Sequence, residues 1–135
     1  MIRPIVREPL LLSRTCPEAV KADVRYEADL SDTLLSLPSC LGIAANMIGI
    51  RKRIIAIRVG STALVMFNPV ILSCEGEYEA EEGCVSLPGI RKTRRFRTLQ
   101  AEYRDGNWKL QKGRFSGVAA QVIQHEIDHL NGILI

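Results

Sequence analysis

The sequence predicts an α+β domain in which β segments lie between two helices. Three observations predict it. Residues 17–37 mix apolar and acidic positions as a helix would, and Leu37-Pro38 ends that run, because proline disfavours helix in the residue before it. Short β-rich runs follow at 53–59, 63–67 and 70–74, punctuated by Gly60-Ser61 and Asn68-Pro69. The last segment then changes to a helical period.

Further along, Arg97, Leu99, Ala101 and Tyr103 alternate with Thr98, Gln100 and Glu102, the pattern of a half-buried strand. Asp105-Gly106 supplies a tight hairpin turn, with Trp108 and Leu110 facing one side on the return strand. Ser116 as N-cap and Gly132 as stop bound a helix over residues 117–131. On it Val118, Val122, His125 and His129 form one stripe, and Ala119, Ile123, Ile127 and Leu130 an adjoining apolar one. Gln121, Gln124 and Asp128 occupy the polar side, so the helix is expected to lie largely buried against sheet.

At 135 residues, one domain spanning 1–135 can bury most of the surface that its unfolded chain exposes. A hydrophobic fraction of 47% and a charged fraction of 24% are ordinary globular values. There is no apolar run of membrane-spanning length, and Met1-Ile2-Arg3-Pro4 lacks the apolar stretch of a signal peptide. The expected location is cytoplasmic, with no membrane partner. Cys16, Cys40, Cys74 and Cys84 are accordingly read as reduced thiols.

The net charge of +3 is modest. Arg91, Lys92, Arg94, Arg95 and Arg97 stand close together, but Phe96 is the sole interleaved aromatic and no nucleic-acid module is apparent. The cluster reads as solvated surface, with a peptide as the other candidate partner and no specific nucleic-acid site. Glu75, Glu77, Glu79, Glu81 and Glu82 form an acidic approach to Cys84 and read mostly as exposed strand and loop positions.

Chemistry concentrates in His125-Glu126-Ile127-Asp128-His129, which holds both histidines of the chain. Residues i and i+4 share a helix face, so both imidazoles can reach one ion. Glu126 lies about 100° further round, within reach of the proton of a water at that ion. A catalytic site of this kind takes three protein ligands and keeps one open position. None of Leu130, Asn131, Gly132, Ile133, Leu134 and Ile135 is a credible ligand, so the third is expected upstream. Cys84 stands out, on a tight path set by Gly83, Pro88 and Gly89. For Cys16, Cys40 and Cys74 a buried, inert thiol is the default.

Glu82-Gly83-Cys84-Val85-Ser86 resembles the EGCLS motif of peptide deformylases, and His125–His129 resembles their HEIDH helix. Their third motif, GxGxAAxQ, is partly matched by Cys40-Leu41-Gly42-Ile43-Ala44-Ala45-Asn46-Met47. The motifs stand in the family's order, the opening Ile2-Arg3-Pro4-Ile5-Val6 is similar as well, and the resemblance covers nearly the whole chain. It implies antiparallel sheets around a C-terminal HExxH helix. It also implies metal ligation by Cys84, His125 and His129, with Glu126 as general acid and base. The implied metal is Fe²⁺, with Zn²⁺ or another divalent ion as alternatives. The implied reaction removes the N-formyl group from polypeptides beginning with methionine, releasing formate. Nascent chains near the ribosome would supply such N-formyl-methionyl substrates.

In the family the glutamine of the third motif and the N–H after the cysteine, here Val85, donate to the developing oxyanion. Met47 replaces that glutamine and has no donor. Asn46 is not expected to substitute, since neighbours in an extended segment face opposite ways. Cys40 replaces the motif's first glycine and restricts the backbone there. Gly42 and Arg91 are assigned to the substrate, Arg91 through its place in the arginine cluster. Asp128 is read as a surface or supporting residue. Two other readings follow from Met47: a metal-binding protein of this fold with weak or no activity, or an amidase for another N-acyl group. The apolar Ile133-Leu134-Ile135 end calls for packing, either internally or in a dimer.

Overall fold

The computed structural model describes residues 1–135 and contains one antiparallel sheet with its strands in sequential order. They are β1 (Gly42–Ala44), β2 (Ile54–Val59), β3 (Thr62–Cys84), β4 (Leu87–Arg104) and β5 (Leu110–Ser116). The helices are α1 (Pro9–Leu12), α2 (Glu27–Leu35) and α3 (Gly117–Leu130), with 3₁₀ turns at Lys21–Tyr26 and Ala45–Ile48. No helix is long and apolar enough to cross a membrane.

The first helix is shorter than the sequence suggests. The Arg53 N–H donates to the Pro17 carbonyl at 2.9 Å, and the Ala19 N–H donates to Asn68 Oδ1 at 2.7 Å. Those strand-side bonds hold 17–20 extended. The Asp23 carboxylate then accepts from the Val20 N–H at 2.7 Å, so a 3₁₀ turn opens the run and α2 starts only at Glu27.

The β runs at 63–67 and 70–74 are one strand rather than two. Asn68 takes a φ of 52° and Pro69 sits beside it where the β3–β4 register shifts between Phe67 and Val70. Asparagine tolerates that backbone and proline is at home in a bulge, so the pair kinks β3 without ending it. Gly60, with a φ of 60°, makes the two-residue turn from β2 that Gly60-Ser61 foretells.

Past Cys74, β3 continues through the whole acidic run, and the basic run lies opposite on β4. Glu79 pairs in register with Arg94, Glu81 with Lys92 and Glu82 with Arg91. An ion pair joins Glu77 to Arg94. The two charge clusters are the arms of one hairpin, and apart from buried Glu82 and Arg95 and half-buried Arg91 their side chains stay exposed. Each exposed pair contributes roughly 0–1 kcal/mol.

The Asp105-Gly106 turn is wider than a two-residue hairpin. Asp105 Oδ1 accepts from the N–H groups of Asn107 and Lys109 at 2.9 and 3.0 Å, drawing residues 105–109 into a loop. Trp108 therefore stays off the return strand, with a φ of 62°, and meets Phe67 edge-on at 5.9 Å. Leu110 opens β5 and is exposed, so the two do not share a strand face.

Helix α3 lies against the sheet and buries Ala120, Ile123 and Leu130 among Ile43, Ile55, Phe67 and Leu99. Each fully buried Leu or Ile contributes about 1.5–3 kcal/mol. Ser116 is the N-cap residue but its side chain makes no capping bond. Gly132 ends the helix with a φ of 76°, and a Cβ there would stand 2.3 Å from the Ser13 carbonyl oxygen. Gln124 does not belong to a polar side: it is buried, and its amide accepts from the Phe96 N–H and donates to the Phe96 carbonyl, both at 2.8 Å. Ile135 is buried, whereas Ile133 and Leu134 remain exposed.

Candidate metal centre

A strand and a helix supply the site, each through its own period. Successive side chains on β3 alternate faces, so Ala80, Glu82 and Cys84 point one way, and all three are buried or partly buried. Cys84 is the last residue of β3, paired with Leu87 across a Val85-Ser86 turn. His125 and His129 stand one turn apart on α3, with their Nε2 atoms 3.0 Å from each other. The Cys84 sulfur and one nitrogen of each ring all lie within 4.8 Å of one another. The three residues singled out in the sequence do converge.

Glu82 and Arg95 are the partners that the sequence reading missed. Glu82 Oε1 accepts from His125 Nδ1 at 2.7 Å. Arg95 donates to the same carboxylate through Nη2 at 2.7 Å and Nε at 2.9 Å, and Gln121 Nε2 adds a bond at 2.9 Å. Arg95 Nη1 also reaches Asp128 Oδ2 at 2.7 Å, which makes Asp128 a supporting residue. Arg95 is 4% exposed, so it leaves the solvated cluster to which its sequence neighbours belong. The available signals were the two-residue spacing of Glu82 from Cys84 and the alternation of β4, which turns Arg95 inward.

The electrostatics follow from this packing. Burial opposes charge on Glu82, but the bonds from His125, Arg95 and Gln121 prevail and hold its carboxyl at about 2. Burial alone would lower His125, yet its bonds to Cys84 and Glu82 raise it to about 10. Burial, followed by the neighbouring His125 charge, lowers His129 to about 4. Together these leave one proton between the two Nε2 atoms, and a divalent ion would take its place. Glu82 keeps His125 Nδ1 protonated, so Nε2 is the nitrogen that faces inward.

Glu126 is 4% exposed, and its Oε1 has no hydrogen-bond partner. Burial pushes its carboxyl up to about 7, against the opposing charge of His125. A carboxyl near neutrality can both take and return a proton. Gly42 lets β1 approach: a Cβ there would stand 2.4 Å from Val122 Cγ1 and 3.1 Å from Glu126 Oε2.

A cavity of about 540 Å³ opens on this centre, lined in part by Gly42, Met47, Val85, Val122, Cys84, His125 and Glu126. Arg91 is not in its wall; its guanidinium donates to the Pro88 carbonyl at 3.2 Å. Residues 45–48 form a 3₁₀ turn rather than an extended segment, so Asn46 and Met47 diverge for a helical reason. Met47 faces the cavity, and its sulfur accepts from the Ala44 N–H at 3.2 Å. Asn46 turns to α3, where Nδ2 donates to the His129 carbonyl at 2.9 Å. Cys40 also lines the cavity, donating to the Gly42 carbonyl at 3.1 Å, and burial raises its thiol. All four cysteines are free; Cys74, expected to be buried, is exposed on the uncovered part of β3.

This donor set fits a divalent metal. A thiolate and two imidazoles suit Fe²⁺ or Zn²⁺, and the cavity leaves the fourth side open, as catalytic sites require. The unpartnered Glu126 Oε1 beside that opening fits a proton carrier rather than a fourth ligand.

The family model for polypeptide deformylase matches residues 4–135. The chain is 49% identical to the peptide deformylase of Clostridium beijerinckii over 136 positions, covering 100% of both chains. It is 33% identical to that of Dictyoglomus thermophilum, covering 100% of this chain and 91% of the relative. Among solved structures it is similar to a peptide deformylase from Legionella pneumophila, with a TM-score of 0.89 and 32% identity, covering 99% and 83% of the two chains. A Met-Ala-Ser-bound peptide deformylase from Acinetobacter baumannii gives 0.85 and 27%, covering 99% and 97%. These likenesses favour a deformylase over a binding protein of the same fold or an amidase for another acyl group. With a Cys/His/His cluster suited to a divalent metal and a glutamate beside it, the chain belongs to the peptide deformylase family of metallohydrolases.

Proposed function

We propose that Cys84, His125 and His129 hold Fe²⁺, and that Glu126 carries the proton in hydrolysis of N-formyl-methionyl peptides. The convergence of these three donors, with Cys84, His125 and Glu126 in the wall of one cavity and His129 buried behind them, carries the reading. Once bound, the ion supplies Lewis acidity that polarises the formyl oxygen and acidifies water. Glu126 takes a proton from the attacking water. The water oxygen bonds to the formyl carbon, the carbon–nitrogen bond breaks, and Glu126 returns the proton to the leaving nitrogen. Products are formate and a free N-terminal amine.

In this reading the Val85 N–H donates to the oxyanion and Met47 adds nothing, so the rate lies below that of a site with an amide donor. Zn²⁺ or another divalent ion would be held by the same donors. The apolar wall of Met47, Val85 and Val122 suits a methionine side chain, and the Met-Ala-Ser complex of the Acinetobacter relative supports a peptide lying there. Residues 1–135 act as one domain, since α3 packs on β1, β2 and β4 alike. Four free thiols suit a reducing cytoplasm, where newly made chains would supply the substrate.

The test is formate release from formyl-Met-Ala-Ser by anaerobically Fe²⁺-loaded protein. Glu126→Ala should lose on the order of 10²–10⁴ in rate while keeping its metal. Native protein that carries one metal per chain and releases no formate would refute the reading. Full activity in Glu126→Ala would remove that residue from its role.

A further inference from the structure

The two histidines are held differently. His125 gives its Nδ1 proton to Glu82, but His129 Nδ1 is buried with no partner, in a residue that is 0% exposed. Its Nε2 faces His125 Nε2, so a neutral His129 that ligates through Nε2 must carry its proton on the orphaned Nδ1. A buried donor of this kind is destabilising unless something accepts from it.

Asn46 is the counterpart. It is 7% exposed, and its Nδ2 is already bonded to the backbone of His129 itself. Its Oδ1 is a buried acceptor without a donor. One unpaired donor and one unpaired acceptor thus belong to two residues already joined by a 2.9 Å bond. The Asn46 amide lies 83 positions from His129 in sequence and sits on the turn that carries Met47 into the cavity wall.

We infer that Asn46 is a positioning residue for His129: its Oδ1 accepts the Nδ1 proton across one water, while its Nδ2 holds the His129 carbonyl. The inference rests on His129 being a metal ligand. Asn46 would then do for His129 what Glu82 does for His125, fixing tautomer and ring orientation. Ser86 Oγ is the rival acceptor, since it too is buried without a partner.

The experiment measures Zn²⁺ affinity by competition with a chromophoric chelator, together with the absorption spectrum of the Co²⁺-loaded protein. Melting of each metal-free variant is followed alongside. Asn46→Ala should weaken Zn²⁺ binding about 10–100-fold and shift the Co²⁺ bands, a readout that loss of packing alone would not move. Asn46→Asp keeps an acceptor oxygen but loses the donor to the His129 carbonyl, and should lose clearly less affinity than Asn46→Ala. Native affinity in Asn46→Ala would overturn the inference. So would equal losses in both variants, which would leave only the bond to the carbonyl, or a loss confined to Ser86→Ala. His129→Ala separates the two levels: unchanged affinity there refutes the ligand assignment itself.

Discussion

Arg95→Met removes the guanidinium that holds Glu82 and Asp128, and the cost can be worked from the geometry. The Glu82 side chain is 5% exposed and accepts bonds from Arg95 at 2.7 and 2.9 Å. Without Arg95, only His125 and Gln121 remain to offset a buried carboxylate. Breaking a buried ion pair on one side costs about 3–5 kcal/mol. With an unfolding entropy of about 2.1 cal/mol/K per residue, that lowers the melting temperature of this chain by about 10–18 °C. Because Glu82 orients His125, Zn²⁺ affinity should also fall about 10–100-fold. Calorimetric melting of the metal-free proteins and chelator competition give the two numbers. Adding Glu82→Gln to Arg95→Met removes the stranded charge, so the double variant should lose less than the sum of the singles by more than about 1 kcal/mol. Melting within about 2 °C of native in Arg95→Met, or strict additivity in the double, would refute the reasoning.

Met47→Gln should raise kcat, by up to about 10²–10³, with little change in KM. The new Oε1 can accept from the Ala44 N–H as the sulfur does, leaving Nε2 for the cavity; an unchanged kcat would mean that another donor already serves. Gly42→Ala should cost about 1–3 kcal/mol in a urea melt and slow formate release, because its Cβ meets Val122 and Glu126. Adding Val122→Ala should recover stability, and failure to do so would place the strain elsewhere. Iodoacetamide at pH 8 should label exposed Cys74 first, with Cys16 and Cys40 slower because burial raises both thiols. Peptide mapping that finds Cys16 modified as fast as Cys74 would contradict the burial.

The parts legible in the sequence were those set by local pattern. The helical period placed His125 and His129 on one face, Gly132 marked the end of α3, and Gly60-Ser61 marked the first hairpin. Cys84 followed from the tight path around it and from its motif. What escaped depends on pairing between distant segments. Glu79, Glu81, Arg94 and Lys92 are exposed, as two solvated runs would be, but that the runs face each other is set by the register alone. Asn68-Pro69 reads as a stop because its role as a bulge exists only against a partner strand. Arg95 looks like its neighbours, since a side chain's inward turn on β4 is fixed by the sheet and not by its type. The wide loop at 105–109 likewise reflects an Asp105 side chain competing for amides, which a two-residue motif does not encode.

The β3–β4 hairpin makes the chemistry a matter of parity. Glu82 and Cys84 share a face because they are two apart, and Arg95 meets them because the ladder pairs Tyr78 with Arg95. Losing or gaining one residue between the shift at Ile71/Ser73 and the tip would invert all of β3 beyond it. The sulfur and the carboxylate would turn outward together, and Gly83 and Val85 after a loss, or Glu81 and Gly83 after a gain, would take their places, while α3 and the core below stayed intact. A single-codon deletion in this arm is therefore an on–off lesion for the metal centre, whereas the removal of two residues preserves phase and only shortens the reach.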